Sequence, residues 1–455
     1  MNTENSFFDK LSRWIKNSVM LKLLTITILM LLLLIPASMI ESIIWERENL
    51  KDQSIQEVSS KWADSQQING PILTIPLLYE IEYEVEKGES KKKELVKELV
   101  TKYWYILPKN LKIDGNIEPK KLRRGIYEVV VYKSNVAISG DFILDHHLDR
   151  TNLKKVLYDQ AFLTVGVSDL RGIKNQVEFK WADKVLEVES GSRISNMIYS
   201  GFTVELPNLG DSIEPIDFEF SLNLLGSQNM SFVPIGSTTE VQLVSNWKSP
   251  SFNGNFLPDH RKLADNGFEA SWKILKLNRN LPQSWIGSNQ VDEMSASAFG
   301  VDLILELDDY QKSMRSSKYG VMTIALTFLI FFLVEILYKR RIHPFQYILV
   351  GLALCLFYVL LVSISEHSNF NLAYGISTFG IVTMITLYAL SIFNARKLVL
   401  VLVTTLCGIY GFLFVTLQLA DYALLMGSIG LTIILGATMY FTRNINWYKL
   451  NIDKE

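Results

Sequence analysis

Cysteine is almost missing from this 455-residue chain, which has only Cys355 and Cys407. Both fall in long apolar runs, so residues 41–318 contain no thiol from which to build a disulfide framework. A stretch of that size buries a sufficient core without staples, and the two thiols read as small apolar packing residues. Motifs for nucleophiles and nucleotides are missing too: there is no G-x-S-x-G elbow, no H-E-x-x-H and no G-x-x-x-x-G-K. One S-x-x-K match, Ser90 to Lys93, lies in a run of lysines that reads as a wet loop, and a lysine base needs partial desolvation. Neither S-D-N nor K-T-G accompanies it. The expectation is a protein that is not an enzyme, with no catalytic residue, cofactor or metal. An excess of basic charge is also lacking. The chain carries 45 Lys+Arg against 47 Asp+Glu, of which 33 and 40 fall within residues 41–318, a net of −7 there. Such a span has no electrostatic reason to bind nucleic acid or to lie flat on anionic lipid.

Long hydrophobic runs, by contrast, dominate both ends. Crossing a bilayer core takes roughly 20 mostly apolar residues, and six stretches qualify: Val19–Ile40, Gly320–Tyr338, Phe345–Ser365, Asn371–Phe393, Leu398–Leu419 and Tyr422–Phe441. The first is longer than a signal-peptide core and is followed by no small-x-small site, so it reads as an uncleaved anchor. Lys10, Arg13 and Lys16 precede it; Lys339, Arg340 and Arg341 fill the gap in YKRRIHP; Arg396 and Lys397 occupy another turn. Arg443, Lys449 and Lys454 lie in the tail, whereas EHSNF (366–370) and LADY (419–422) hold no Lys or Arg. The positive-inside rule then places both termini in the cytoplasm and residues 41–318 outside it. The basic cluster at 339–341 is thereby a topology determinant.

The exported span reads as strand and turn. In GPILTIPLLYEIEYEV (70–85), Ile81, Tyr83 and Val85 alternate with Glu80, Glu82 and Glu84, the period of a half-buried strand. ELVTKYWYILP (98–108) is its partner across a charged tip. RRGIYEVVVYKSNVAISGDFIL (123–144) reads as two strands around Lys133–Asn135, and 177–191 as a hairpin turning at Ala182–Asp183. Short strands with Gly, Asn and Pro turns predict an antiparallel all-β sandwich or barrel, with a helical stalk over 41–65. The predicted organisation is a cytoplasmic N-terminus (1–18), an anchor (19–40), a β-rich domain (41–318), a five-helix membrane block (319–442) and a cytoplasmic tail (443–455).

Candidate chemistry is sparse. DHHLDR offers Asp145, His146, His147 and Asp149, but adjacent histidines on a strand point to opposite faces, and a solvated turn accounts for them. Glu335 stands four residues before Lys339, a spacing that lets them pair at the interface. Glu41, Glu366, His367 and Asp421 map to the outer rim. Tyr440, Trp447 and Tyr448 around Arg443 read as an interfacial belt.

Four segments, RRIHPFQYILVGLALCLFYVLLVSISEH (340–367), YFTRNINWY (440–448), VSDLRGI (167–173) and SNWKSPSFNGNFLP (245–258), resemble signatures of the CreD family of bacterial inner-membrane proteins. The order of anchor, exported domain and hydrophobic block is similar as well. The resemblance implies a Gram-negative inner-membrane protein tied to envelope integrity and to the response to β-lactams and colicins. It implies no catalytic residue. The expected role is binding, with the bilayer and envelope proteins or peptidoglycan as partners. Trp247, Phe252 and Phe256 are the candidate contacts, since aromatics on loops are frequent anchors. The alternative is a small-molecule or proton-coupled transporter using Glu335 or Glu366.

Overall fold

The computed structural model describes residues 19–87, 92–144, 148, 151–209, 214–287, 290–305, 309–338, 342–393, 395–419 and 422–443. The chain divides into two compact units: Asp52–Glu306, and Met1–Lys51 together with Leu307–Glu455. Helix α1 (Val19–Trp62) is one 44-residue element, so the predicted anchor and stalk are a single helix. The Lys339–Arg341 cluster, the DHHLD ligands and the tail aromatics Trp447 and Tyr448 lie outside the described residues.

The first unit is a two-sheet sandwich. A ten-stranded sheet is organised on Gln66–Lys87, which pairs with Lys92–Ile106, Leu153–Val156, Phe162–Val167 and Asn229–Phe232. The eight-stranded sheet is organised on Asn110–Arg124, which lies between Tyr127–Phe142 and Thr238–Ser245. Alternation sends one face of each strand inward: along Thr238–Ser245, Thr239, Val241, Leu243 and Ser245 are buried while Glu240, Gln242 and Val244 are exposed. The inner faces share one core, joined across the sheets by Phe202 against Phe220 and Trp272 against Phe299 (ring centroids 6.1 and 5.4 Å apart).

Two expectations are corrected. The sheets are not wholly antiparallel, because Gln66–Ile68 runs parallel to Met230–Phe232 and Asn110–Ile117 parallel to Thr238–Ser245. Period-two patterning fixes which face is buried and is silent on strand direction. Residues 123–144 do not turn at Lys133–Asn135; Tyr127–Phe142 is one strand. There Lys133 and Asn135 simply point outward, and Asn135 donates to Asn223 Oδ1 on the neighbouring strand (2.8 Å). The hairpin at 177–191 has its predicted turn, with Phe179–Trp181 pairing Lys184–Leu186 across Ala182 in the left-handed region. A short helix, α2 (Val291–Ala296), completes the unit.

The VSDLRGI segment fastens the C-terminal end of α1 to this sandwich. Asp169 is buried and accepts from Asp64 N (2.9 Å) and from Arg171, whose guanidinium also donates to Ser60 O. Gln66 Nε2 donates to Asp169 O (3.0 Å) and Leu225 O (2.8 Å), and Ser227 Oγ to Ala63 O (2.6 Å). Gly172 is required here, since a Cβ would come within 2.4 Å of the Gln66 amide.

The second unit is helical. α3 (Asp309–Lys318) and α4 (Gly320–Leu337) meet at a 43° bend. They are followed by α5 (Pro344–Ser365), α6 (Phe370–Ile392), α7 (Arg396–Gln418) and α8 (Ala423–Thr442). His343 accepts from Phe345 N at the start of α5, and Pro344 sits at the first helical position, where its missing N–H costs nothing. Asn369 Oδ1 accepts from Leu372 N (2.9 Å) and starts α6. Among the described residues, α1, α5, α6 and α7 are long and apolar enough to cross a membrane, which makes four, or five where the bent α3–α4 pair is counted as one span. α8 supplies a shorter apolar stretch, Leu425–Tyr440.

Candidate functional site

The three aromatics singled out in the sequence are half-buried and pack on the sandwich core. Phe252 meets Phe268 and Trp272 edge-on, each at 5.7 Å. Phe256 stands edge-on to Phe299 at 6.0 Å, and its carbonyl accepts from Trp272 Nε1 (3.2 Å). Trp247 donates through Nε1 to Ile304 O (2.9 Å). Phe252 and Phe256 are thus brought together around Trp272, while Trp247 closes the end of the strand that precedes it. The residue of this stretch that most exposes apolar surface is Leu257, at 68 %.

The outer face of the eight-stranded sheet offers a different site. A trough of about 710 Å³ is lined by Lys112, Asp114, Glu240, Asp259, His260 and Lys273, among others. Its geometry follows from register. Lys112, Glu240 and Lys273 are direct cross-strand neighbours, with Glu240 Oε1 2.8 Å from Lys273 Nζ. One step along, Asp114, Gln242, Ser271 and His260 form a second row. The first row continues outward through Ser139 and Glu219 to Lys180, whose ammonium is 3.2 Å from Glu219. The result is a ribbon of alternating charge laid across six strands. Exposed pairs of this kind are worth little individually, so a ligand carrying both carboxylate and ammonium groups can exchange into them at small cost. The sequence signals such outward polar positions strand by strand, but only pairing across strands makes them adjacent.

The acids considered for transport are held by cations. Glu335 is 1 % exposed, forms an ion pair with Lys22 of α1, and accepts from Ile342 N (2.9 Å) and Tyr347 Oη (3.1 Å). The expected partner Lys339 lies outside the described residues; the carboxylate is buried near the end of α4, and its partner Lys22 lies on the first helix. Glu366 Oε1 lies 3.6 Å from Arg47 Nε. Among the described residues no cluster of His, Cys, Asp and Glu could hold a metal ion.

The family described as "Inner membrane protein CreD" matches residues 18–448. The inner membrane protein CreD of Escherichia coli (strain K12) is 32 % identical over 426 residues, covering 93 % of this chain and 92 % of the relative. Among solved structures, a mutant two-domain M1 zinc metallopeptidase bound to L-arginine aligns over 37 % of this chain and 39 % of its own. That alignment has 7 % identity and a TM-score of 0.18, too low to indicate a shared fold.

Proposed function

The chain belongs to the CreD family of inner membrane proteins, and from that premise we propose that it supports cell-envelope integrity by binding envelope components through its sandwich unit. In this reading both termini are cytoplasmic and the sandwich is periplasmic, where it contributes to the response to β-lactams and colicins in a Gram-negative cell. The observation that carries the binding role is the charge-alternating trough centred on Glu240, Lys112 and Lys273. It is a solvent-facing surface on which strand register sets opposite charges side by side. Its ligand is a peptide or protein that presents both signs of charge, such as a peptidoglycan stem peptide or an envelope protein.

Photoreactive residues placed at Gln242 and Ser271, and at Trp247, Phe252 and Phe256, test this in living cells. Adducts with envelope material from the trough positions, lost in Glu240→Lys/Lys273→Glu, support the reading. A correctly inserted protein that yields no adduct from any of the five positions overturns it. The transporter alternative predicts instead that Glu335→Gln and Glu366→Gln abolish the envelope phenotype while the protein still folds.

A further inference from the structure

Most hydroxyls on the helices of the second unit donate to a carbonyl of their own preceding turn, as Thr25, Thr323, Thr327, Thr386, Thr404 and Thr416 do. That is the default in a medium with no other acceptor. Others bond to a neighbouring helix, as Tyr347 and Tyr374 do, and five do neither. Ser313, Ser316, Ser377, Thr378 and Tyr410 have buried oxygens with no hydrogen-bond partner among the described residues. Ser313, Ser316, Ser377 and Tyr410 are all at most 1 % exposed.

Their helices converge. α3 packs on α5, α6 and α7 and meets α4 at the 43° bend. Gly320 at that bend lets Tyr358 lie against the backbone, since a Cβ there would be 3.2 Å from the ring. The Tyr358 hydroxyl reaches Thr323 Oγ1 at 3.4 Å, a long contact that leaves capacity for a closer partner. Phe357 on α5 packs against both Tyr374 and Tyr410 (ring centroids 5.3 and 4.7 Å apart), Cys355 is buried one turn before Tyr358, and Tyr374 Oη donates to the Tyr410 carbonyl (2.7 Å). Ser377 is one turn from Tyr374 and equally buried. Of the cations of α3, Arg315 and Lys318 are exposed, and Lys312 is half-buried with its ammonium 5.3 Å from the centre of the Phe370 ring.

This donor set selects a ligand class. The five hydroxyls carry no charge to neutralise a buried ion, and Lys312 is engaged over the Phe370 ring, which makes a buried ion costly. A hydrocarbon would leave every hydroxyl with its full desolvation penalty. Hydroxyls both donate and accept, which suits water and neutral polar solutes alike. We propose that the hydroxyls around the α3–α4 bend line a polar chamber that holds a small, uncharged hydrogen-bonding ligand, either clustered water or a neutral solute that replaces it. This chamber is independent of the binding role of the sandwich.

The purified full chain supplies a signed test. If the hydroxyls are dry, Ser316→Ala, Ser377→Ala and Tyr410→Phe each remove an unsatisfied group and leave the melting temperature unchanged or raised. If the chamber is occupied, each removes a used hydrogen bond, and the expected fall is about 2–4 °C; no fall in any of the three overturns the proposal. Cys355 gives an independent readout in a Cys407→Ser background, because thiol modification needs water at the sulfur. Folded protein is expected to react with methyl methanethiosulfonate, and reaction only after unfolding overturns the proposal. Protection of Cys355 by glycerol or urea assigns a neutral solute as occupant, and reaction undiminished by either assigns water.

Discussion

Asp169 and Arg171 are joined by a two-point ion pair, with Nη2 2.7 Å from Oδ2 and Nε 2.9 Å from Oδ1. The guanidinium beside it, helped by the Asp64 and Arg171 amides, lowers the Asp169 carboxyl to about 2. An unfolded aspartate titrates near 3.9. The folded value being the lower, this carboxylate contributes stability above pH ~3.9 and loses it as pH falls toward 2. The expected contribution at neutral pH is about 2 kcal/mol. Melting temperature followed from pH 5 to pH 2 should fall more steeply in the parent than in Asp169→Asn, and equal slopes would refute the assignment.

Arg279 is 8 % exposed, and burial pulls its guanidinium down to about 10. It donates to the carbonyls of Leu281, Ile235 and Gly236 and to Gln283 Oε1. A buried charge held by carbonyls at both Nη atoms acts as a pin for the 276–283 turn. Arg279→Met should cost about 2–4 kcal/mol because several buried acceptors lose their donor at once, read as a shift in denaturation midpoint at unchanged slope.

Removing one partner of a buried pair costs more than the pair itself contributes. Glu335→Ala should therefore destabilise by about 3–5 kcal/mol, while Lys22→Met/Glu335→Gln recovers a measurable part. Thermal scans of all combinations in one detergent give the coupling. Additive effects would mean that the ion pair is unimportant.

Phe252→Ala should cost about 2–4 kcal/mol, toward the lower end for a ring only half enclosed. Leu257→Ser should stay within about 0.5 kcal/mol. The reverse order would restore Phe252 as a surface anchor.

Local chemistry made much of this architecture legible. The alternation Ile81–Tyr83–Val85 marks a strand, uninterrupted apolar runs mark α5 to α7, and Asn369 and His343 sit where their caps are needed. Distance in sequence hid the rest. Nothing near Glu335 points to Lys22, and Lys112, Glu240 and Lys273 meet only because three strands align in one register. Lys133–Asn135 misled because polar residues at a turn and polar residues on the wet side of a strand look alike. The aromatics of 247–256 read as loop anchors until Trp272 was seen to hold two of them.

The parallel pairing of Gln66–Ile68 with Met230–Phe232 has a consequence for biogenesis. The organising strand leaves the ribosome early, yet its neighbour is synthesised far later, and Asn110–Ile117 likewise waits for Thr238–Ser245. Neither sheet can close until most of the unit has been made, so both wait as open edges. Such late, long-range closure is slow and prone to aggregation, which makes this unit a natural client of folding helpers during synthesis.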